Sequence, residues 1–253
     1  MRRIIFIALA LLSIIALTAA KKPKKKNTKK APQETTFTGI ISYYGKVTRI
    51  PDKSKTTAKL NDFEAQFQLY MNEEYTRRIE KYENLGLTIT LTEGINHDFY
   101  MQSVHSKDGN LLAIATLDEM KELQLTPKYV RSNSLKMRKV SGKKRVQGYI
   151  CKKAISDIVT EDNIRIQLVA WYCPELTLKG YQTPYFPKLQ GFIPLVYDMY
   201  NGQHVVTYSA TDVKKQALHN GYFSKPDQME PLTYKEFLKK IQEIGNKQQQ
   251  EEF

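Results

Sequence analysis

The chain has 253 residues, with 39 Lys and Arg against 26 Asp and Glu, and a formal net charge of +13. That excess sits at the front: without Arg2 and Arg3 it falls to +11, and without the seven lysines between Lys21 and Lys30 it falls to +4. A folded part this mildly basic argues against a nucleic-acid partner, and nothing from Ala31 onward is long and apolar enough to span a membrane.

Met1, Arg2 and Arg3 are followed by an apolar run from Ile4 to Leu12, resumed at Ile14 to Leu17 and ended by Thr18, Ala19 and Ala20. Positive end, greasy middle and small-residue stop form the layout of a secretory signal, with cleavage expected after Ala20. As a membrane anchor the run falls short of the roughly 20 apolar residues a bilayer needs. No cysteine lies near the cleavage site to accept a lipid. The expectation is an exported protein, periplasmic or secreted, free of a lipid anchor. Residues 21–35 then read as a disordered tail, because a block of like charge repels itself and has nothing to bury. Such a tail either gives weak attraction to an anionic membrane surface or is a solvated spacer.

Residues 36–245 read as a single β-rich domain, a size ordinary for all-β folds. The 16 Tyr and 10 Phe beside a single Trp suit strands and partly wet surfaces. Phe63, Ala65, Phe67, Leu69 and Met71 alternate with polar residues and Tyr70, and Leu87, Ile89 and Leu91 alternate with threonines, the pattern of strands with one buried face. Weaker alternation marks Thr36 to Ile50, Phe99 to Val104 and Asn110 to Thr116. Asp108-Gly109 predicts a tight turn between the last two. A short helix is expected over Asp118 to Leu125.

Lys144 to Val159 and Ile164 to Tyr172 read as a hairpin turning at Thr160 to Asn163. With the turn centred on Asp162, Ile158 faces Ile166, Ile155 faces Val169 and Cys151 faces Cys173. Directly opposed residues bring their Cβ atoms to about 4.5–5.5 Å, close to disulfide reach, so a Cys151–Cys173 bond is expected. Phe192 to Tyr200 and His204 to Thr211 form another hairpin around Asn201-Gly202. Between the two hairpins, Pro174 to Gly191 reads as a long irregular loop carrying Tyr181, Tyr185 and Phe186. The chain ends in a helix: Thr233 and Glu236 have capping-box spacing, Leu232 and Phe237 fit a hydrophobic staple, and Phe237, Leu238, Ile241 and Ile244 share one face. Residues 246–253 are expected to be a frayed polar tail.

No catalytic constellation stands out. The four histidines, His97, His105, His204 and His219, lack the spacing of a helical zinc motif. There is no nucleophile elbow and no phosphate-cradling glycine loop. His97 beside Asp98, and Asp212 after His204, are the nearest approaches to a catalytic pair. No cofactor is expected, no metal, and no enzymatic activity.

Val146-Gln147-Gly148-Tyr149-Ile150-Cys151-Lys152-Lys153-Ala154, Ala170-Trp171-Tyr172-Cys173-Pro174-Glu175-Leu176 and Leu189-Gln190-Gly191-Phe192-Ile193-Pro194-Leu195, with Thr207 to Lys215, together cover about a third of the chain. This set resembles secreted bacterial proteins of the GLPGLI type, departing from them at the loop, where Pro194 follows Ile193 instead of preceding the glycine. The resemblance implies the architecture of the outer-membrane lipoprotein-carrier superfamily: a mainly β fold, a curved antiparallel sheet forming a half barrel, and a few helices including a C-terminal one. In such carriers the cavity holds acyl chains.

The leading expectation is therefore a non-catalytic binding protein with a lipid or other amphipathic ligand, contacted by Tyr181, Tyr185, Phe186 and Phe192. A cell-envelope interaction or assembly protein, using the exposed sheet and the aromatic loop, is the second. A hydrolase assembled in space is the third. The apolar stripes themselves are read as an ordinary filled core.

Overall fold

Eleven strands hydrogen-bond into one antiparallel, unclosed sheet in a computed structural model that describes residues 36–49, 64–83, 86–96, 99–115, 119, 136–159, 165–181, 189, 191–200 and 204–250. The expected signal peptide, the lysine run, the expected turn at 160–163, Asn201-Gly202, Tyr185 and Phe186 fall outside the described residues, as does the expected 118–125 helix apart from Glu119.

The first half of the chain is a meander of six strands: β1 (Gly39–Arg49), β2 (Glu64–Met71), β3 (Tyr75–Tyr82), β4 (Leu87–Gly94), β5 (Tyr100–Ser106) and β6 (Gly109–Ala115). The second half starts at the far edge and works back: β7 (Lys136–Val146), β8 (Tyr149–Val159), β9 (Arg165–Thr177), β10 (Phe192–Tyr200) and β11 (His204–Lys215). β11 closes against β1, so the order across the sheet is β6-β5-β4-β3-β2-β1-β11-β10-β9-β8-β7. Helix α1 (Tyr234–Gln250) follows.

Register decides which side chains share a face. Tyr43, Phe67, Glu80, Ile89 and Val104 line up across β1 to β5, and Ile41, Leu69, Arg78, Leu91, Gln102 and Ala113 form the next row, out to β6. This is the face α1 covers: Tyr234, Phe237 and Ile241 join one cluster with Ala65, Tyr82, Ile89, Tyr100 and Ala113. The same face is the inside of a curve. Tyr43 on β1 reaches Tyr197 on β10 at 6.0 Å, and Phe67 on β2 reaches Tyr208 on β11 at 5.4 Å, each across an intervening strand. In a flat sheet such positions stand about 9–10 Å apart.

The outer face of the first half is covered by the segment after β11. Asn72 Nδ2 donates to Leu218 O at 3.2 Å, Arg77 donates to Ser224 O at 2.6 Å, and Tyr75 stacks on Phe223. The segment then turns round the edge, where Leu232 N donates to Leu112 O on β6 at 2.8 Å, and α1 drops onto the inner face. The β6 edge is thus capped by the chain itself.

The hairpin register expected for β8 and β9 holds: Ile158 pairs with Ile166 and Ile155 with Val169. The disulfide does not follow. Cys151 and Cys173 are both buried and both free. The β8–β9 ladder stops at Lys152–Tyr172, one pair short of the cysteines, and there β8 departs from β9. The tip of the β7–β8 hairpin packs Val146, Tyr149 and Cys151 into the cluster of Ile41 and Ala210, and Gln147 Nε2 donates to Ala210 O at 3.1 Å.

Four further differences have physical reasons. Lys144 to Val159 is not one strand: Gln147 (φ 47°) and Gly148 (φ 83°) make the left-handed turn of a tight hairpin, and the run preceding it is strand β7. β3 escapes the alternation search because it turns Arg78, half-buried, and Glu80, buried, to the same side as apolar neighbours. β9 runs to Thr177, through Pro174, because an irregular stretch between Cys173 and Thr177 needs no donor from the proline. α1 continues to Gln250, past the expected start of the polar tail, through residues that suit a helix.

Candidate functional site

Strand β3 carries the unusual chemistry of the inner face. Arg78 lies between Leu69 on β2 and Leu91 on β4, where the neighbouring strands supply aliphatic side chains. Its Nε donates to Glu80 Oε1 at 2.8 Å, and Tyr82 Oη donates to Glu80 Oε2 at 2.5 Å, so three successive inward positions of one strand are wired together. Glu80 is buried, whereas the Arg78 side chain keeps 21% of its surface exposed. A paired guanidinium left in partial contact with solvent inside an apolar face is the feature that stands out, since buried charges are costly unless paired.

Two strands supply the rest. Glu93 on β4 pairs in register with Thr76 and Tyr100 and points to the same side. Burial pushes its carboxyl up to about 7, against the opposing pull of the Arg78 guanidinium. Gln102 accepts a 2.5 Å hydrogen bond from Tyr234 Oη of α1, and the Tyr100 and Tyr234 rings meet edge to face at 6.0 Å. Burial raises the Tyr100 hydroxyl well above its ordinary value and raises Tyr82 and Tyr234 too. All three stay protonated at neutral pH and serve as hydrogen-bond donors.

On the other half of the curve the lining turns aromatic. Tyr43 stacks on Phe67 at 4.2 Å and donates to Pro194 O at 2.6 Å. Tyr197 is hydrogen-bonded to Tyr181, and burial raises its hydroxyl well above its ordinary value. Tyr197 also meets the Tyr43 ring at 6.0 Å, and Phe67 meets Tyr208 at 5.4 Å, so the aromatic lining runs from β1 and β2 to β10 and β11.

Tyr181 therefore stands in the interior. Leu178 N donates to Gly191 O, Tyr181 N to Leu178 O and Gly191 N to Tyr181 O, which fastens this part of the loop in place. A Cβ built on Gly180 would stand 2.3 Å from Ile95 Cγ2, so the loop touches the residue that follows β4. Phe192 lies further along, 5.3 Å from the Tyr172 ring and 5.3 Å from Lys139 Nζ. Tyr181 and Phe192 thus join different clusters, with Tyr197 touching both.

The nearest approaches to a catalytic pair do not assemble. His204 and Asp212 lie eight residues apart on one strand, about 27 Å at the usual rise, and Asp212 is ion-paired to Lys214 at 3.3 Å. His97 and Asp98 lie outside the described residues. His105 lines an outer-face cleft of about 500 Å³ with Asn110, Pro226, Asp227, Met229 and Glu230. Among the described residues no three His, Cys, Asp or Glu side chains group as metal ligands.

Arg78, Glu80, Glu93 and Gln102 form the centre that the sequence reading passed over. One signal was present: the alternation Leu87, Ile89, Leu91 continues to Glu93 at the next inward position, placing a carboxylate on a buried stripe.

No family model matches the sequence, so the GLPGLI resemblance remains one of short motifs. No curated protein matches it either. Among solved structures the chain is similar to PNGF-II, at 13% identity and a TM-score of 0.45, over 80% of this chain and 32% of that one. It is similar to a putative outer membrane lipoprotein-sorting protein domain from Vibrio parahaemolyticus, at 6% identity and a TM-score of 0.33, over 74% of this chain and 88% of that one. It is similar also to an uncharacterized conserved protein from Thermus thermophilus, at 10% identity and a TM-score of 0.32, over 76% of this chain and 90% of that one. The chain thus spans about a third of PNGF-II, and at these values the likenesses say nothing of what the site holds.

Proposed function

We propose that this chain is an exported, non-catalytic binding protein that holds an amphipathic ligand, such as a lipid, against the inner face of its curved sheet. The observation that carries the reading is Arg78, partly exposed within an apolar and tyrosine-rich face. A ligand with a polar or anionic head and an apolar body meets both halves of that lining. The head shares the guanidinium with Glu80, and the body lies along Phe67 and Tyr208, which keep part of their surface open. Pockets of this kind owe their specificity to a few polar groups in an apolar lining.

A dansyl-labelled fatty acid is the probe that tests this. Its emission should shift to the blue on binding the full chain, and Arg78→Met should weaken that binding about 10-fold, as loss of one charge-assisted hydrogen bond does. Removing the charge strands Glu80, so Arg78→Lys is measured alongside and should retain most of the affinity. An unshifted wild-type spectrum, or equal binding by Arg78→Met, would overturn the reading. Native mass spectrometry of protein purified from its own envelope should show a bound lipid as added mass.

Glu93 favours a second reading. A carboxyl held near neutrality beside a tyrosine and an arginine suits acid–base chemistry on a bound substrate. Glu93→Gln separates the two: binding survives in either case, and any turnover is lost only in the second.

A further inference from the structure

The net charge of the folded part hides a local concentration. β7 and the start of β8 carry Arg138, Lys139, Lys143, Lys144, Arg145, Lys152 and Lys153. Among the described residues the only ion pair they make is Arg138 with Asp157, at 3.5 Å and at the far end of the hairpin.

The tip of this hairpin has two unlike sides. Val146, Tyr149 and Cys151 pack inward. The outer side is set by register: Lys143 pairs directly with Lys152, and Arg145 pairs with Ile150. All four of these residues are exposed. Lys143 opposite Lys152 is a like-charge cross-strand pair, which is unfavourable unless an anion sits between the two. A bulge at Ser141 and Gly142 produces that juxtaposition, since it shifts the register between Val140 and Lys143.

Ile150 is the second observation. It is the most exposed large hydrophobic side chain described, at 46%, and three cations surround it on the same side. A solvated basic face has no use for an exposed isoleucine at its centre. A phospholipid surface has a use for both: its phosphates answer Lys143, Arg145 and Lys152, and its acyl boundary takes Ile150.

We infer that the outer side of the β7–β8 hairpin tip is a docking surface for an anionic phospholipid membrane. Lys143, Arg145 and Lys152 sit at phosphate level and Ile150 enters the interface. The hairpin is held at a fixed angle to the rest of the sheet by Gln147 on Ala210 and by Lys215 Nζ, 5.6 Å from the Tyr149 ring. This surface is separate from the inner face, and its failure would leave the ligand-binding reading intact.

The full chain is tested by flotation with phosphatidylcholine vesicles, with and without phosphatidylglycerol. Lys143→Gln, Arg145→Gln and Lys152→Gln together should lower partition onto the anionic vesicles on the order of 100-fold. Ile150→Ser alone should lower it about 10-fold. Lys143→Arg should bind as wild type does. The seven lysines between Lys21 and Lys30 are replaced by Gln in parallel, and the hairpin effect should persist in that background. Melting temperatures should not fall, because these four side chains stand in solvent and neutralising Lys143 and Lys152 removes a like-charge pair. If the triple variant floats as wild type does, the inference is overturned. It is overturned equally if Ile150→Ser has no effect and inorganic polyphosphate in solution loses as much affinity as the vesicles do, since the surface would then bind polyanions generally.

Discussion

Glu93 shows how a single position on a strand acquires chemistry. Its parity puts the carboxyl on the inner face beside Tyr100, and burial moves it from the usual carboxylate range to about 7. A carboxyl whose folded value lies above its unfolded one holds its proton more tightly when folded. The stability it contributes is complete below the unfolded value near 4.5 and is lost as pH rises through 7. Denaturation at pH 5 and pH 8 should show wild type losing about 1–3 kcal/mol over that interval relative to Glu93→Gln, whose amide carries no charge to bury. Equal pH slopes for the two proteins would show that Glu93 ionises freely in the folded state. The cysteines make the complementary point. Burial raises both thiols, Cys151 to about 11, so neither is a ready nucleophile at neutral pH.

At the scale of elements, the start of α1 was legible because capping is local. Glu236 N donates to Thr233 Oγ1 at 3.3 Å, and Thr233 N donates to Glu236 Oε2 at 3.1 Å, closing the capping box. Hydrogen bonds from Thr233 hold the Glu236 carboxyl below its ordinary value. Thr233→Ala should cost about 1 kcal/mol in chemical denaturation, with an unchanged denaturant slope. A loss near zero would mean that the packing of Phe237 and Ile241 fixes the helix without its cap. β7 is the opposite case. Its first eight residues, Lys136 to Lys143, belong to no element expected from the sequence, and they become a strand because β8 offers them a ladder.

For the whole molecule, the order of the strands decides where stability lies. β1 and β11 are neighbours at the centre of the sheet although they are the first and last strands of the chain, and β7 closes an edge with one partner only. Native-state hydrogen exchange should therefore be slowest for the amides shared by β1, β2 and β11. It should be fastest on the β7 edge, with β6 between them because Leu232 caps it. Protection of β7 equal to that of β1 would imply that something covers the edge in solution. The curve matters at this scale too, because it brings the aromatic side chains of β10 and β11 against those of β1 and β2.

Local features were the ones legible before any fold was known: alternation in β2 and β4, the β5–β6 and β10–β11 hairpins, the β8–β9 register, and the capped helix. Each rests on contacts between residues close along the chain, or on a period that one strand carries alone. The mainly β class was legible from the same strands, the curved antiparallel sheet was implied by the resemblance in its short motifs, and the structure has that form. Long-range packing settled the rest. It turned Arg78 and Glu80 inward, because their neighbours in space come from β2 and β4. It joined Tyr181 to Tyr197 inside. It also decided the surroundings of Cys151 and Cys173, which are buried in one cluster and unbonded: the β8–β9 ladder ends at Lys152–Tyr172, one pair before them, and Gln147 at the hairpin tip bonds instead to Ala210 of β11.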